Sequence, residues 1–356
     1  MIIIVIIVVL IVIILSWWLV IDYADSQMKL KKKLLPTPRI LVEACDKIGI
    51  PYEILNRKEI IINDRIKFRG AISNLNPKKS VAIAINKRRC STLLNANGIP
   101  VPKFQAYPGL KSQKDVDHIC DDLKISYPLV VKPACGQSGI QVHVGIQDET
   151  ELRNVLNSLR NLKDDKIKCD EVMIEEFCEG DNYRFLFLDD KLLDVVMRRE
   201  PIVIGDGKST LMELISNWNR YRKTLRLYPM KVDWNYLSKN GYTDKSIIGR
   251  GKKFSVKQIC GSCVFDHIKY GIDKIHPKLI ENFKRIGEIT GLRLYGLDVM
   301  ATDLSKLGNA KINEVNSAPS MRVHYFRDRG YLDKYTDLDI PIRFIKILVD
   351  DDYLKN

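Results

Sequence analysis

The chain has 356 residues, of which 46% are hydrophobic and 28% are charged. This is enough for one large domain, or two to three small ones, with a core. The net charge of +13 favours anionic partners, such as nucleotide phosphates, acidic peptides, anionic lipid or nucleic acid, without choosing among them. Of the eight cysteines only Cys260 and Cys263 are closely spaced, and no second pair accompanies them. A zinc site and a disulfide framework are therefore not expected.

The N-terminal segment is strongly apolar. Residues 1–21 contain no charged side chain and a single serine, and about 20 apolar residues suffice to cross the hydrocarbon core of a bilayer. A cleaved signal peptide would need a basic start and small residues before the cut, which are missing here. The sequence predicts a retained transmembrane anchor over residues 1–22, with Trp17 and Trp18 at the interface. The basic linker 23–38 follows, and the positive-inside rule then predicts a single-pass membrane protein with its C-terminal bulk in the cytoplasm.

Beyond the linker, helical and strand-like segments alternate, which is typical of α/β or α+β architecture. A helix is predicted over residues 39–49, followed by two extended runs, Tyr52–Leu55 and Glu59–Ile62. Together with the turn after the second run, these segments predict a small N-terminal domain over residues 39–86. A further helix is predicted over Ser80–Asn95.

A short segment near the C-terminus places a carboxylate and an amide two residues apart. Glu314 and Asn316 follow the strand-like run Ala310–Ile312, and on a strand this spacing directs both side chains to one face. Mg²⁺ takes oxygen ligands and is commonly held by one or two carboxylates together with substrate phosphates. The segment therefore predicts a metal site, although a solvated strand edge has the same pattern.

A second segment carries a lysine at the end of an apolar strand, before a glycine-containing loop. Lys132 ends the run that begins at Pro128, and Gly136 and Gly139 follow. Glycines let backbone amides approach phosphate oxygens, and the ammonium group supplies a positive charge for the same oxygens. The loop is not a Walker loop, because no Gly-Lys-Ser/Thr follows the glycines. An ordinary strand and turn with a solvated lysine is the alternative.

Two more segments resemble parts of a site. Val172–Gly180 is an apolar strand that runs into acidic residues, where Glu175 and nearby backbone groups could meet the edge of an adenine ring and Phe177 or Met173 its face. An edge strand with a charged turn is the other interpretation. Gly205–Ile215 is a glycine turn followed by an amphipathic helix, which physical chemistry alone assigns to structure.

The order and spacing of these segments resemble a known family. From about Lys87 to Leu348 the chain is similar to the ATP-grasp ligases, most of all to the ATP-grasp domain of cyanophycin synthetase and of the related bifunctional glutathione synthetases. The motifs that carry the resemblance are Val130-Val131-Lys132-Pro133 with its glycine loop, Glu175–Gly180 with Tyr183-Arg184-Phe185, Gly205–Thr210 with Glu213-Leu214-Ile215, Ile275-His276-Pro277, Gly296-Leu297-Asp298, and Glu314–Pro319 with Arg322 and His324.

The resemblance implies a role for each matching residue. Lys87 and Lys132 would contact the phosphates of ATP, and the loop Gly136, Gln137, Ser138 and Gly139 would close over them. Glu175, with the backbone near Glu176, Phe177 and Cys178, would recognise adenine, and Asn182 stands where a ribose-binding acid is usual. Asp298, Glu314 and Asn316 would hold one or two Mg²⁺ ions, with Mn²⁺ as an alternative ion. Arg199 and Arg322 would neutralise the transferred phosphoryl group or the acyl phosphate.

The implied fold is α+β, an ATP-grasp fold that follows the small N-terminal domain and the transmembrane helix. The ATP-grasp domain would cover residues 87–350. Its lid-bearing subdomain would span residues 87–178, and its metal-binding subdomain residues 179–350.

The implied reaction joins a carboxylate to an amine through an acyl phosphate, with release of ADP and phosphate. The substrates would be an amino acid or peptide carboxylate and an amine. The Mur-ligase-like domain of full cyanophycin synthetases is not expected here, and neither is nucleic-acid binding, since no recognised motif for it is present. Ser138, Ile140 and Ser320 depart from the family pattern, and so the alternative is a catalytically inactive, membrane-anchored nucleotide-binding scaffold or sensor. A homo-oligomer stays open.

Overall fold

The structure is a computed structural model. It describes residues 28–136, 139–160, 171–199, 202–224, 229–230, 232–257, 266–328 and 334–350, together with positions 17, 18 and 26. Within these ranges, no helix combines the length and the apolar character that crossing a bilayer requires. The predicted span over residues 1–22 lies outside the described residues, apart from positions 17 and 18.

The chain divides into two compact units. The first comprises Met1–Leu75, Ala318–Tyr325 and Asp337–Asn356, and the second comprises Asn76–Ser317 and Phe326–Thr336. The domain boundaries expected at residues 86 and 178 stay predictions.

The first unit combines a small antiparallel sheet with several helices. Its elements are α1 (Pro36–Ile48), β1 (Tyr52–Asn56), β2 (Glu59–Ile62), β3 (Ile66–Arg69), β4 (Ile72–Ser73), α9 (Arg322–Tyr325) and α10 (Asp339–Val349), and the strands pair in the order β1-β2-β3-β4. The predicted helix and two extended runs correspond to α1, β1 and β2. Alternate residues of β2 and β3 are buried, as expected for a sheet with one covered face. Phe68 of β3 packs edge-on against Phe344 of α10, with ring centroids 6.1 Å apart.

The second unit contains a four-stranded antiparallel sheet, which we call the lid sheet. Its strands are β5 (Phe104–Tyr107), β6 (Leu129–Pro133), β7 (His143–Ile146) and β8 (Val172–Glu176), in the order β5-β8-β6-β7. The helices α4 (Gln113–Asp122) and α5 (Glu149–Arg160) belong to the same layer. They share one apolar cluster with the sheet, including Val116, Ile119, Val131, Leu152 and Ile174.

A five-stranded antiparallel sheet, which we call the central sheet, forms the rest of the second unit's framework. Its strands are β9 (Asp181–Leu188), β10 (Lys191–Arg199), β13 (Asp266–Lys269), β14 (Leu294–Ala301) and β15 (Ala310–Asn316), in the order β13-β10-β9-β14-β15. The helices α2 (Lys78–Ile85), α3 (Lys87–Ala96) and α8 (Pro277–Thr290) share its core, and the single helix predicted over Ser80–Asn95 is divided at Asn86 into α2 and α3.

Alternation along the strands gives the central sheet two different faces. Tyr183, Phe185 and Phe187 of β9 belong to the apolar core, so Arg184 between them points to the opposite face. In β14, Asp298 likewise lies between two residues of the apolar core, Leu297 and Val299, so its side chain also points to the opposite face. The second face of the sheet is therefore the one that carries charge.

A smaller layer is inserted between β10 and β13. It contains β11 (Ile202–Ile204), α6 (Leu211–Thr224), α7 (Trp234–Lys239) and β12 (Lys253–Ser255), and β11 pairs with β12. These elements share an apolar cluster of their own, which includes Leu211, Trp218, Leu237 and Phe254. The short strands β16 (Phe326–Asp328) and β17 (Lys334–Thr336) pair with each other.

Candidate nucleotide and metal site

The lid sheet carries a buried ion pair. Lys132 of β6 and Glu175 of β8 are 3% and 2% exposed, and the Lys132 Nζ lies 2.6 Å from a Glu175 carboxylate oxygen. In the register of the two strands Lys132 is opposite Met173 and Glu175 is opposite Val130, so the two charged residues are diagonal neighbours on one face. Lys132 Nζ also donates to Asn313 Oδ1 at 3.2 Å, which links the lid sheet to β15 of the central sheet.

Lys87 lies between the glycine loop and the predicted metal ligand Glu314. It is the first residue of α3, which Asn86 caps by accepting a hydrogen bond from the backbone amide of Arg89. The Lys87 Nζ donates to the carbonyl oxygen of Gly136 at 2.9 Å and lies 3.1 Å from Oε1 of Glu314. Since Lys132 contacts Asn313, the two predicted phosphate ligands approach neighbouring residues of β15.

The predicted adenine hinge follows β8. Glu176 Oε1 accepts hydrogen bonds from the amide of Lys103 at 2.7 Å and from Nζ of Lys311 at 2.5 Å. Burial raises the pKa of the Glu176 carboxyl, but the bonds from Lys311 and Lys103 outweigh it and hold the pKa below its ordinary value. The Phe177 amide donates to Pro128 O at 3.0 Å. Burial raises the pKa of Cys178 to about 11, so this thiol stays neutral at pH 7. The hinge is thus tied to the strands on both sides.

Asp298 lies in a row of charged residues across the central sheet. It is the register partner of Arg184 on β9 and of Glu314 on β15. Arg184 donates from Nε to Oδ1 and from Nη2 to Oδ2, the latter at 3.0 Å, and Nη1 of Arg198 reaches Oδ1 at 2.8 Å. Burial raises the pKa of Asp298, but the two guanidinium groups outweigh it and lower the pKa. The Asp298 carboxyl is therefore ionised at neutral pH.

The end of the central sheet that holds these residues suits Mg²⁺. Asp298 and Glu314 are paired across β14 and β15, and Asn316 pairs two positions further along with Gly296. Oδ2 of Asp298 accepts one hydrogen bond, which leaves it a lone pair. In the described part of the chain, the side-chain nitrogen of Asn316 is buried without a hydrogen-bond partner. Nowhere in that part do three histidine, cysteine or acidic side chains cluster as a ready metal site. Two carboxylates and an amide oxygen are the donor types that a hard cation takes.

The remaining predicted residues are placed as follows. Gly139 has a left-handed φ of +68°, and Gln137 and Ser138 lie outside the described residues. Asn182 is the second residue of β9, where its Nδ2 lies 3.4 Å from the sulfur of Met300. Arg199 ends β10, opposite Asp266 in the register with β13.

Arg322 begins α9 in the first unit. Two contacts hold this helix against α1 within that unit. The amide of Met321 donates to Thr37 Oγ1 at 3.3 Å, and the Tyr325 hydroxyl donates to Glu43 Oε2 at 2.9 Å. The helix that begins with Arg322 is therefore fixed within the first unit.

Sequence reasoning missed several residues of this region. Arg184 and Arg198 hold Asp298, whereas the family resemblance singled out Arg199, the residue after Arg198. A signal was available, because an arginine inside the apolar run of β9 must find an anionic partner once it is buried. Asn313 and Lys311, which link β15 to the lid sheet, had no such signal, since a half-buried strand accommodates polar residues without a partner.

Comparison with known proteins agrees with the motifs. Residues 84–202 match the model of the RimK-like ATP-grasp domain. The chain contains a RimK-like ATP-grasp domain. It is homologous to cyanophycin synthetase of Crocosphaera subtropica, with 26% identity over 326 residues that cover 87% of this chain and 36% of that protein. It is also homologous to the glutathione biosynthesis bifunctional protein GshAB of Clostridium perfringens, with 25% identity over 82% of this chain and 39% of that protein.

Structural comparison supports the predicted α+β ATP-grasp fold. The crystal structure of a bifunctional glutathione synthetase from Pasteurella multocida aligns with 88% of this chain and 43% of its own, with a TM-score of 0.56 and 20% identity. The chain spans less than two fifths of the length of the two homologous proteins. The prediction that the chain contains an ATP-grasp domain related to cyanophycin synthetase is confirmed.

Proposed function

We propose that this protein is an ATP-dependent carboxylate–amine ligase that forms an amide or peptide bond through an acyl phosphate. The observation that carries the proposal is the convergence of Lys87 and Lys132 on β15, where Glu314 and Asn316 lie. Cations for phosphate and oxygen ligands for metal are thereby brought to the same strand. The homology to an ATP-grasp domain agrees with this arrangement.

Both lysines retain the capacity to bind phosphate. An ammonium group has three hydrogens to donate. Lys132 uses two on Glu175 and Asn313, and Lys87 uses two on Gly136 and Glu314. One donor of each lysine is left for a phosphate oxygen. The glycine at position 139, with its left-handed backbone, lets the loop present amides to the same oxygens.

Asp298, Glu314 and Asn316 would hold Mg²⁺. When bound, the ion would neutralise phosphate charge and orient the phosphoryl group for in-line transfer. Arg184 and Arg198 hold Asp298 in place and keep it ionised. The backbone of Glu176 and Cys178 would bind the adenine edge, with Phe177, which is 36% exposed, against the ring.

The reaction needs no side-chain nucleophile. A substrate carboxylate oxygen attacks the γ-phosphorus and ADP leaves; the amine then attacks the acyl carbon, phosphate leaves and the amine proton passes to solvent. What the protein must supply is positioned positive charge and exclusion of water. Arg199 and Arg322 are the residues proposed to neutralise the transferred group.

The direct test measures ADP release by the purified full-length chain in neutral detergent with Mg²⁺ and ATP. Amino acids, acidic peptides and small polycarboxylates are offered singly and in pairs. ADP that forms only when one carboxylate and one amine are both present supports the ligase and names its substrates. Glu314→Gln is the matched control, because it keeps the side chain's size and removes a proposed metal ligand.

An inactive nucleotide-binding scaffold or sensor is the second candidate. It is favoured by the pairing of Asp298 with two guanidinium groups and of Glu314 with Lys87, which leaves no carboxylate of the proposed metal site without a cation. Nucleotide binding without turnover for any substrate pair would support it and contradict the ligase.

For residues 1–22 we propose a membrane anchor that leaves the ligase in the cytoplasm. The support is the run of 21 residues without a charged side chain. Extraction of membranes with alkaline carbonate is the test, since an anchored chain stays in the pellet and a peripheral one is released.

A further inference from the structure

Asn76 is a buried amide whose side chain bonds to the backbone of the central sheet. It is 8% exposed and lies two residues before α2. Its Nδ2 donates to the carbonyl oxygens of Leu294 at 2.7 Å and of Ser317 at 2.8 Å, and its Oδ1 accepts from the amides of Arg293 and Leu294, both at 2.9 Å. An asparagine side chain has two donor hydrogens and two acceptor lone pairs, so its capacity is fully used. We call these four hydrogen bonds the Asn76 clasp.

The Asn76 clasp lies where β14 and β15 stop pairing. The register of the two strands ends with Gly296 opposite Asn316. Asn316 is the last residue of β15, so Ser317 follows it directly, and Leu294 is the first residue of β14. At this end the side chain of Asn76 bridges the carbonyl oxygens of the two strands in place of a backbone ladder. The clasp therefore closes the open end of the ladder.

A third strand is connected to the clasp. Asp189 follows β9 directly, and its carboxylate accepts from Nε of Arg293 at 2.9 Å and from Nη2 of the same residue at 3.2 Å. Arg293 precedes β14, and its amide is one of the two donors to Asn76. One buried side chain is thus linked to the ends of β9, β14 and β15. These are the strands across which the charged row around Asp298 lies.

The proposed metal ligand next to the clasp is Asn316. The clasp holds the carbonyl oxygen of Ser317, the next residue, and Glu314 lies two positions earlier on the same strand. In the described part of the chain, Nδ2 of Asn316 is buried without a hydrogen-bond partner, so no hydrogen bond from that atom fixes the side chain. Its place is set by the backbone, through the pairing with Gly296 on one side and the clasp on the other.

We propose that Asn76 is a positioning residue for the metal site, because its clasp keeps the end of β15, and with it Asn316, in place for a divalent cation. The inference rests on the proposed ligase function and on its metal site. Groups that orient metal ligands without touching the metal change its affinity by about 10- to 100-fold when they are replaced. Lys87 and Lys132 contact Glu314 and Asn313, which precede the clasped end, so phosphate binding without metal should not depend on Asn76.

The test measures the affinity of the full-length chain for ADP by calorimetric titration in neutral detergent, once in EDTA and once with Mg²⁺. The variant Asn76→Asp keeps an acceptor for the two amides, but its carboxylate cannot donate to the two carbonyl oxygens. In EDTA we expect it to bind ADP like wild type. With Mg²⁺ we expect it to bind ADP about tenfold more weakly than wild type, or as weakly as in EDTA if that limit is reached first. Should Asn76→Asp not fold, Asn76→Ser replaces it with the same expectation.

Two control variants separate positioning from a loss of stability, which urea unfolding measures. Asn74→Asp makes the same substitution in a similar bridge of the first unit, where Nδ2 donates to Arg65 O and Oδ1 accepts from the Lys67 amide, both at 3.0 Å. Thr290→Val removes a buried hydrogen bond of α8 in the second unit, from Thr290 Oγ1 to Ile286 O at 2.6 Å. We expect both controls to keep the Mg²⁺ dependence of wild type, whatever stability they lose.

Three results overturn the inference and leave the metal site standing. Wild-type ADP affinity of folded Asn76→Asp in Mg²⁺ would show that the clasp only stabilises the fold. Equal losses in EDTA and in Mg²⁺ would show an effect on the whole nucleotide site. An equal loss of Mg²⁺ dependence in Thr290→Val would show a general effect of stability. Failure of the proposed metal site looks different, because wild type itself would then bind ADP no more tightly with Mg²⁺ than in EDTA, and Asn76 would lose its assigned task as well.

Discussion

Two buried carboxylates, one on each sheet of the second unit, respond to burial in opposite ways. Glu175 on the lid sheet and Asp298 on the central sheet are 2% and 6% exposed. Burial raises the pKa of Glu175, and Lys132 followed by Lys87 offsets this only in part. Burial also raises the pKa of Asp298, but Arg184 and Arg198 reverse the direction and lower it. Both guanidinium groups hydrogen-bond directly to the Asp298 carboxylate, whereas Lys132 bonds to Glu175 and Lys87 acts on it through its charge, and this difference accounts for the opposite directions of the two pKa shifts.

The two environments suit different tasks. A metal ligand must be ionised before the metal arrives, and two guanidinium groups ensure this at Asp298. Glu175 pairs with Lys132, which is proposed to bind phosphate. A weaker attraction between the two side chains leaves Lys132 more available to a phosphate group. Removal of cations at each site is the most direct way to test the comparison.

The largest effect is expected from Arg184→Met. The substitution leaves Asp298 buried with one guanidinium group, and breaking a buried pair costs about 3–5 kcal/mol. Urea unfolding measures the free energy of unfolding, with Arg220→Met, at an exposed arginine of α6, as the control. The double variant Arg184→Met with Asp298→Asn should recover part of the loss. A double variant as unstable as the sum of both single ones would contradict the coupling.

A smaller loss of stability is expected from Lys132→Met. Glu175 can respond to the loss of its lysine by taking up a proton, so the cost should be about 1–3 kcal/mol. Nucleotide affinity should fall with it, because a proposed phosphate ligand is gone. Calorimetric titration with ADP and urea unfolding measure the two effects. Unchanged ADP affinity in a folded variant would remove Lys132 from the phosphate site.

The pH dependence of stability should have opposite signs at the two carboxylates. The pKa of Asp298 is lowered, so its stabilisation relative to Asp298→Asn is complete above the unfolded pKa of about 3.9 and is lost as pH falls through the folded pKa. The pKa of Glu175 is raised, so wild type should gain stability relative to Glu175→Gln as pH falls from the folded pKa toward about 4.3. Urea unfolding in EDTA from pH 3 to 7 measures both differences. Slopes of the same sign would contradict the comparison.

The smallest effect concerns the partly exposed pair of Lys87 and Glu314, whose side chains are 11% and 30% exposed. Glu314→Gln frees Lys87 for phosphate, so ADP in EDTA should bind up to about fivefold more tightly, as expected for a pair of this exposure. Addition of Mg²⁺ should increase the ADP affinity of wild type but not that of the variant.

A matched control for that experiment is a second partly exposed ion pair of the same helix. Glu171→Gln removes a carboxylate of similar exposure, which lies 2.8 Å from Arg88 of the same helix as Lys87, and should leave ADP affinity unchanged in both buffers. Weaker binding of metal-free ADP to Glu314→Gln would show that Glu314 does not compete with phosphate for Lys87.

Parts of the candidate site were predictable because local pattern suffices for them. The spacing of Glu314 and Asn316 on a strand, and Lys132 at the end of an apolar run before glycines, follow from strand periodicity and backbone freedom. The partners of Asp298 could not be predicted from local pattern. Arg184 lies more than 100 positions, and Arg198 about 100 positions, from Asp298 in the chain. Which of two adjacent arginines faces the carboxylate depends on the register of β10 with β9, which a single sequence does not reveal.

The sequence by itself determined α1, β1 and β2 of the first unit, the ATP-grasp motifs in their order, and the concentration of positive charge in residues 202–257. These are properties of neighbours in the chain and of composition. Only the tertiary structure decided that Lys132 meets Asn313, that Lys87 meets Glu314, and that Asp298 is held by two guanidinium groups. Such contacts join strands and helices that are distant in sequence, and their existence depends on strand register and on the way the two sheets of the second unit pack. The sequence specifies which side chains are charged, whereas the fold determines the partner of each buried charge.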